Sequence, residues 1–261
     1  MGRYVVTGGT KGIGAKAVEI LRSQDHEVIT VARENADINA DLGTNEGRES
    51  VLAEIIKNCG DGLDGLICNA GIAGLSIHKS SYVLSVNYFG TVAVAEGLYG
   101  LLKIRKGNCA VTVSGSLAYS NRGRYFVDAL LNNCGDEARI GRLVDAFPTD
   151  ETRFAIYVST KIALARWVRR VSPSWAAHGV NINALAPGPV DTTIMGDSMK
   201  PGGGLFFHPL PTLHGQNRVM EPIEAADPLV FLVSPGAKGM SGAILFCDAG
   251  TEAILSTEKF Y

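Results

Sequence analysis

Tyr4-Val5-Val6-Thr7-Gly8-Gly9-Thr10-Lys11-Gly12-Ile13-Gly14 is the stretch that decides the fold. A short β-branched run breaks on glycines and opens a helix whose Ile13, Ala17, Ile20 and Leu21 share one side. Such a turn aims backbone N–H groups and the positive end of a helix at whatever lies above it, and a pyrophosphate suits that position. Gly8, Gly12 and Gly14 follow a G-xxx-G-x-G spacing, a variant of the tighter dinucleotide fingerprint. Gly8 permits the turn, Gly12 the close approach of phosphates, and Gly14 the packing of helix on strand. Thr10, Lys11 and Ile13 are the other cofactor contacts expected in this loop.

Outward from this opening, β-branched runs alternate with longer segments of helical period. Strands are predicted at Val28–Val31, Gly65–Cys68, Ala110–Val113, Val180–Ala186 and Ile244–Phe246, and helices near 46–58, 84–102 and 153–177. That order predicts an α/β protein, a single doubly wound Rossmann-type parallel sheet over residues 1–261 with helices on both faces. Two segments break the alternation. Residues 119–150 form an insert with two short helices, suggested by Ala129-Leu130-Leu131 and by Ile140, Leu143 and Val144. Residues 194–216, rich in glycine, proline and aromatic side chains, read as a substrate lid in which Phe206 and Phe207 cover an apolar ligand.

Apolar residues make up 46% of the chain and charged residues 19%, which excludes a disordered polypeptide. A net charge of −2 supplies no attraction for nucleic acid or an anionic membrane, and neither is an expected partner. The five cysteines, Cys59, Cys68, Cys109, Cys134 and Cys247, are odd in number and scattered, which predicts thiols in a reducing compartment rather than disulfides. The histidines show no metal-ligand spacing, so no metal is expected. With no leader-like start and no stretch of membrane-spanning length, the cytoplasm is the expected location.

Chemistry is concentrated in Tyr157 and Lys161, one helical turn apart. A phenol with an ordinary pKa near 10 needs a neighbouring cation to act as an acid/base at neutral pH, and Lys161 is placed to supply it. Tyr99 and Lys103 repeat the spacing, but only Tyr157 follows a strand ending in serines and precedes one ending in Pro187-Gly188. The serines are Ser114 and Ser116, either of which can hold a carbonyl oxygen toward the phenol. At the tip of the second strand stands Ala32-Arg33. A carboxylate there would suit the ribose of NAD, whereas a guanidinium suits a 2′-phosphate, so NADP(H) is favoured and NAD(H) is the alternative. Glu34 complicates this, as a partner for Arg33 or for the ribose.

Together these residues resemble the short-chain dehydrogenase/reductase family along essentially the whole chain. Thr7-Gly8-xxx-Gly12-Ile13-Gly14 is similar to its cofactor motif, Asn69-Ala70-Gly71 to the element that steadies its central sheet, and Asn87 to its active-site asparagine. Ser114, Tyr157 and Lys161 complete the likeness to its catalytic tetrad. Pro187-Gly188-Pro189-Val190-Asp191-Thr192 resembles the segment that contacts the nicotinamide, chiefly through Val190 and Thr192. Ala40–Arg48, Val86–Gly90 and Gly135–Ala138 bring the chain nearest to the 3α-hydroxysteroid dehydrogenase/carbonyl reductase branch, in which Asp41 and Leu42 flank the adenine. Counting from the insert favours Ser114, and a strand shifted by two puts Ser116 in its place.

The resemblance implies an oxidoreductase interconverting a secondary alcohol and a ketone or aldehyde, on an apolar substrate such as a steroid. A nucleotide-sensing protein without catalysis is the alternative on the same fold. The long insert is expected to obstruct the family's common helix-to-helix pairing and to offer an apolar face through Leu130, Leu131, Leu143 and Val144, giving a homodimer rather than a tetramer.

Overall fold

The protein was analysed as a computed structural model that describes residues 1–74, 77–114, 124–132, 136–192 and 219–258. Arg3–Thr7 forms β1, and Gly8, with φ of +68°, turns the chain into α1, Gly12–Ser23. Then come β2 (Glu27–Ala32), β3 (Ile38–Asn39), α2 (Asn45–Asn58) and β4 (Gly65–Cys68). A long helix follows in three parts: α3 (Ser80–Leu84), a π-helical segment (Ser85–Gly90) and α4 (Thr91–Arg105). After β5 (Asn108–Thr112) the chain forms α5 (Arg124–Asn132), α6 (Glu137–Asp145) and α7 (Asp150–Ala176). The last elements are β6 (Asn181–Pro187), α8 (Pro222–Val233), β7 (Ile244–Cys247) and α9 (Thr251–Leu255).

Among the described residues seven strands form one sheet, all parallel, in the order β3-β2-β1-β4-β5-β6-β7. The winding reverses between β1 and β4, which opens a crevice beyond their carboxyl ends, the place where such sheets bind ligands. Side chains alternate across the sheet. Val5 and Leu66 join the core built with Ile55 of α2, Leu98 of α4 and Leu164 of α7. Val6 and Ile67 join the core on the opposite face with Leu21 of α1 and Leu229 of α8. The expected doubly wound sheet is therefore present.

Three details differ from the sequence reading. The long helix starts at Ser80 rather than near Leu84 and changes to π geometry around Asn87. The short edge strand β3 and the helix α8 were not expected at all. Both insert helices form, but Leu130 and Val144 are fully buried and Leu131 nearly so, because α5 packs on α7 and α6 on α3. Of the apolar face expected for subunit contact, only Leu143 is exposed, at 53%. Ser116 and the predicted lid, with Phe206 and Phe207, lie outside the described residues. Among the described residues no helix is long and apolar enough to cross a membrane.

Candidate active site

The crevice is assembled by hydrogen bonds between strand tips. The Thr7 hydroxyl accepts from the backbone N–H groups of Asn69 and Ala70, both at 3.1 Å, while Asn69 Oδ1 accepts from the Thr112 hydroxyl at 3.0 Å. Asn69 Nδ2 reaches the Gly8 carbonyl at 3.5 Å, so β1, β4 and β5 are held in one arrangement where the sheet reverses.

A dinucleotide fits the cradle above them. A side chain on Gly14 would lie 2.1 Å from the Gly8 carbonyl oxygen, so only glycine lets the turn close on α1. At Gly12, φ is +55°, and a Cβ would come 3.0 Å from Thr192 Cγ2, which places predicted cofactor contacts from opposite ends of the chain beside each other. No side chain caps the start of α1 and its first turn holds no acid, whereas Thr44, Asp136 and Thr149 cap α2, α6 and α7. The leading N–H groups of α1 are thereby left to an anion.

Ala32 ends β2, and Arg33 after it hydrogen-bonds Tyr82 of α3. Glu34 pairs with Lys11 at 3.3 Å rather than with Arg33, one of the two partners expected for it beside the ribose. Asp41 Oδ1 accepts from Gly43 N at 2.8 Å and its Oδ2 from the Tyr82 hydroxyl at 2.9 Å, while Leu42 is buried. Pro187 ends β6, the Gly188 N–H donates to Cys247 O at 3.0 Å, and buried Val190 bridges to Met220.

At the reacting end, Tyr157 and Lys161 project from α7, and Ser114, just past β5, hydrogen-bonds the Tyr157 hydroxyl. Lys161 Nζ donates to Thr112 O at 3.4 Å and lies 6.0 Å from the centre of the Tyr157 ring. Asn87 is fixed by the backbone of Ile72: its Oδ1 accepts from Ile72 N at 2.8 Å and its Nδ2 donates to Ile72 O at 2.9 Å. A Cβ on Gly71 would stand 3.2 Å from Lys161 Nζ and 3.3 Å from Asn87 Oδ1, so glycine keeps a gap between these two groups. Tyr99 and Lys103, the second pair of this spacing, are occupied elsewhere: Tyr99 stacks on Trp175 at 4.5 Å and Lys103 Nζ lies 5.3 Å over the Tyr99 ring.

Electrostatics here differ from the expectation that Lys161 lowers the phenol pKa. Burial pushes the Tyr157 phenol above its ordinary value, and the opposing influence is the hydrogen bond with Ser114. Lys161 itself is 5% exposed, and burial pushes its ammonium from 10.5 down to about 8. Between about 8 and 10.5 the unfolded chain keeps a proton that the folded protein releases, so stability rises with pH in that window. A Lys161→Met variant lacks this rise. Its advantage in unfolding free energy over the wild type should shrink by roughly 3 kcal/mol across the window in urea denaturation, and a constant difference would show an unshifted lysine.

Comparison with known proteins places this geometry. The short chain dehydrogenase family model matches residues 3–125, and the enoyl-(acyl carrier protein) reductase model matches residues 148–252. The 3-alpha-hydroxysteroid dehydrogenase/carbonyl reductase of Comamonas testosteroni is 30% identical over 269 residues, covering 100% of both chains. The chain belongs to the short-chain dehydrogenase/reductase family. A 2,5-dichloro-2,5-cyclohexadiene-1,4-diol dehydrogenase of Sphingobium indicum is 27% identical over 277 residues, covering 96% of each chain. The 3-alpha-hydroxysteroid dehydrogenase of Pseudomonas sp. B-0831, solved in complex with NADH, is 34% identical with a TM-score of 0.90, covering 99% of this chain and 100% of that one. This short-chain dehydrogenase/reductase is thus an oxidoreductase close to the hydroxysteroid dehydrogenase/carbonyl reductases.

Sequence reasoning missed the groups that hold the site residues of this family member in place. Thr7 bonds the Asn69-Ala70 turn, Thr112 bonds both Asn69 and Lys161, and Ile72 fixes Asn87 through its backbone. The two threonines end β1 and β5, where a hydroxyl at a strand tip was the available signal. Ile72 carried none, because a backbone contact leaves no mark in residue type.

Proposed function

We propose that this protein is an NADP(H)-dependent oxidoreductase interconverting a secondary alcohol and a ketone or aldehyde, on an apolar substrate such as a steroid or another hydrophobic carbonyl compound. The observation that carries the chemistry is the hydrogen bond between Ser114 and Tyr157 beside buried Lys161. A bound nicotinamide supplies or accepts the hydride. In reduction, the Ser114 hydroxyl holds the carbonyl oxygen against the phenol, and Tyr157 gives that oxygen its proton. Lys161 then restores the proton to Tyr157, and the gap that Gly71 keeps between Lys161 and Asn87 is the place for a water that relays protons from Lys161 to solvent. Spectrophotometry of reduced nicotinamide against a panel of apolar ketones tests this, and no turnover on any of them would overturn it.

Preference for NADP(H) is supported by the charges around β2. Ala32 is neutral, Arg33 brings a guanidinium, and the neighbouring acids are engaged: Glu34 with Lys11, and Asp37 accepting from Thr30 N at 2.8 Å and the Thr30 hydroxyl at 2.7 Å. NAD(H) is the competing reading, favoured by the solved relative that was complexed with NADH. Arg33→Ala should raise the NADP(H) dissociation constant at least about tenfold and leave that of NAD(H) nearly unchanged, as loss of one charge-assisted bond predicts. A wild type that binds NAD(H) more tightly in fluorescence titration would decide against Arg33. For assembly the proposal is a homodimer, supported by α5, which covers part of α7 through buried Val127 and Leu130.

A further inference from the structure

Arg48 of α2 is 6% exposed, and each of its five N–H donors has an acceptor. Nε donates to Leu42 O at 2.7 Å; Nη1 to Glu137 Oε2 at 2.6 Å and Asn45 Oδ1 at 3.3 Å; Nη2 to Glu137 Oε1 at 2.8 Å and Ser85 O at 3.0 Å. One buried guanidinium therefore joins the Asp41–Gly43 turn, the π-helical segment and the insert helix α6. The opposite side of the turn is held as well. The Tyr82 hydroxyl donates to Asp41 Oδ2, and its ring packs so closely that a Cβ on Gly43 would lie 2.5 Å away. Next to Tyr82, Ser81 donates its N–H and hydroxyl to Asp145 at 2.9 and 2.6 Å. Glu137 and Asp145 are the first and last residues of α6, so both supports of the turn end on the same helix.

We propose that α6 braces the adenosine end of the coenzyme cleft, with Glu137 a positioning residue that acts through Arg48 on the Asp41–Gly43 turn. The inference rests on the coenzyme reading given above. A fully bonded arginine holds the Leu42 carbonyl in one direction, and a carboxylate on both terminal nitrogens fixes the rotation of the guanidinium. Burial would raise the Glu137 carboxyl, but the Arg48 guanidinium and the Ser85 hydroxyl hold it below the usual range, so the brace stays ionised at neutral pH. The insert then has a task within the chain that separates it from any role in assembly.

The test is a coenzyme titration of three variants of the full-length protein. Glu137→Gln keeps the shape of the side chain and loses the ion pair. The dissociation constant and KM of the preferred coenzyme should rise about tenfold, with kcat at saturation and the KM for the carbonyl substrate within about twofold. The double variant Arg48→Met, Glu137→Leu leaves no unpaired buried charge and is expected to fold, yet Leu42 O has lost its donor, so the same rise should appear. Asp128→Asn on α5 breaks only the exposed pair with Arg166 and should change nothing. Unchanged coenzyme affinity in the folded double variant would overturn the proposal, as would a fall in kcat with coenzyme KM unmoved. A wild type that binds neither NADP(H) nor NAD(H) refutes instead the coenzyme reading on which the proposal stands.

Discussion

Tyr157→Phe should lower turnover by about a thousandfold while coenzyme affinity stays within about twofold, because a positioned proton donor contributes on that order and the ring is retained. The hydroxyl that is removed carries the hydrogen bond with Ser114. Lys161 keeps its bond to Thr112 O, so the surrounding framework should survive. Tyr99→Phe is the paired control. Its ring stacks on Trp175 at 4.5 Å, and the stacking does not use the hydroxyl, so activity should be that of the wild type. Measuring kcat and coenzyme dissociation constants for both variants decides the matter. Full activity in Tyr157→Phe, with loss in Tyr99→Phe, would place the reaction at the wrong tyrosine.

Gly14→Ala is expected to have the second large effect. The added methyl would sit 2.1 Å from the Gly8 carbonyl oxygen and 2.7 Å from Asn69 Nδ2, and the first of these is backbone that a rotamer change cannot move. The β1–α1 turn must shift, carrying with it the N–H groups that would face a pyrophosphate in the proposed cradle. Overpacking of this kind costs about 1–3 kcal/mol of stability, and coenzyme affinity should fall by at least an order of magnitude with it. Gly100→Ala offers the contrast. That position lies within α4 with nothing inside 4 Å of the added carbon, and helix propensity alone predicts a gain of about 1 kcal/mol. Urea denaturation and fluorescence titration of the pair separate a general intolerance of alanine from a specific clash. A Gly14→Ala protein that binds coenzyme like the wild type would remove the cradle from the start of α1.

How much of this was legible follows from the kind of signal each residue leaves. The β1 turn was readable because steric demand selects glycine at Gly8, Gly12 and Gly14, and the parallel sheet was readable because its strands are short β-branched runs. Tyr157 and Lys161 were readable because four residues make a helical turn. The helix α8 was not: Pro222 and Pro228 stand within it and a proline-rich stretch precedes it, so local breaking signals masked a helix that packing on the sheet stabilises. The two-residue strand β3 is too short for any alternation to show. Arg48 and Glu137 are 89 positions apart, and neither residue type announces a partner at that distance. Contacts between elements decide such pairs, and a linear pattern does not encode them.

Asn87 owes its direction to one surplus residue. The π-helical turn at Ser85–Gly90 accommodates a residue that an α-helical turn would not, while α3 and α4 continue on either side. Each α-helical residue advances the side chain by about 100° around the axis. A single deletion between Ser85 and Gly90 would therefore leave an uninterrupted helix of ordinary appearance and swing the carboxamide away from Ile72. The same arithmetic governs alignment with more distant relatives: where the widened turn is missing, a one-residue gap belongs inside the helix, and closing it pairs Asn87 with the wrong neighbour. In this part of the chain a change of one residue in length would redirect an amide rather than trim a loop.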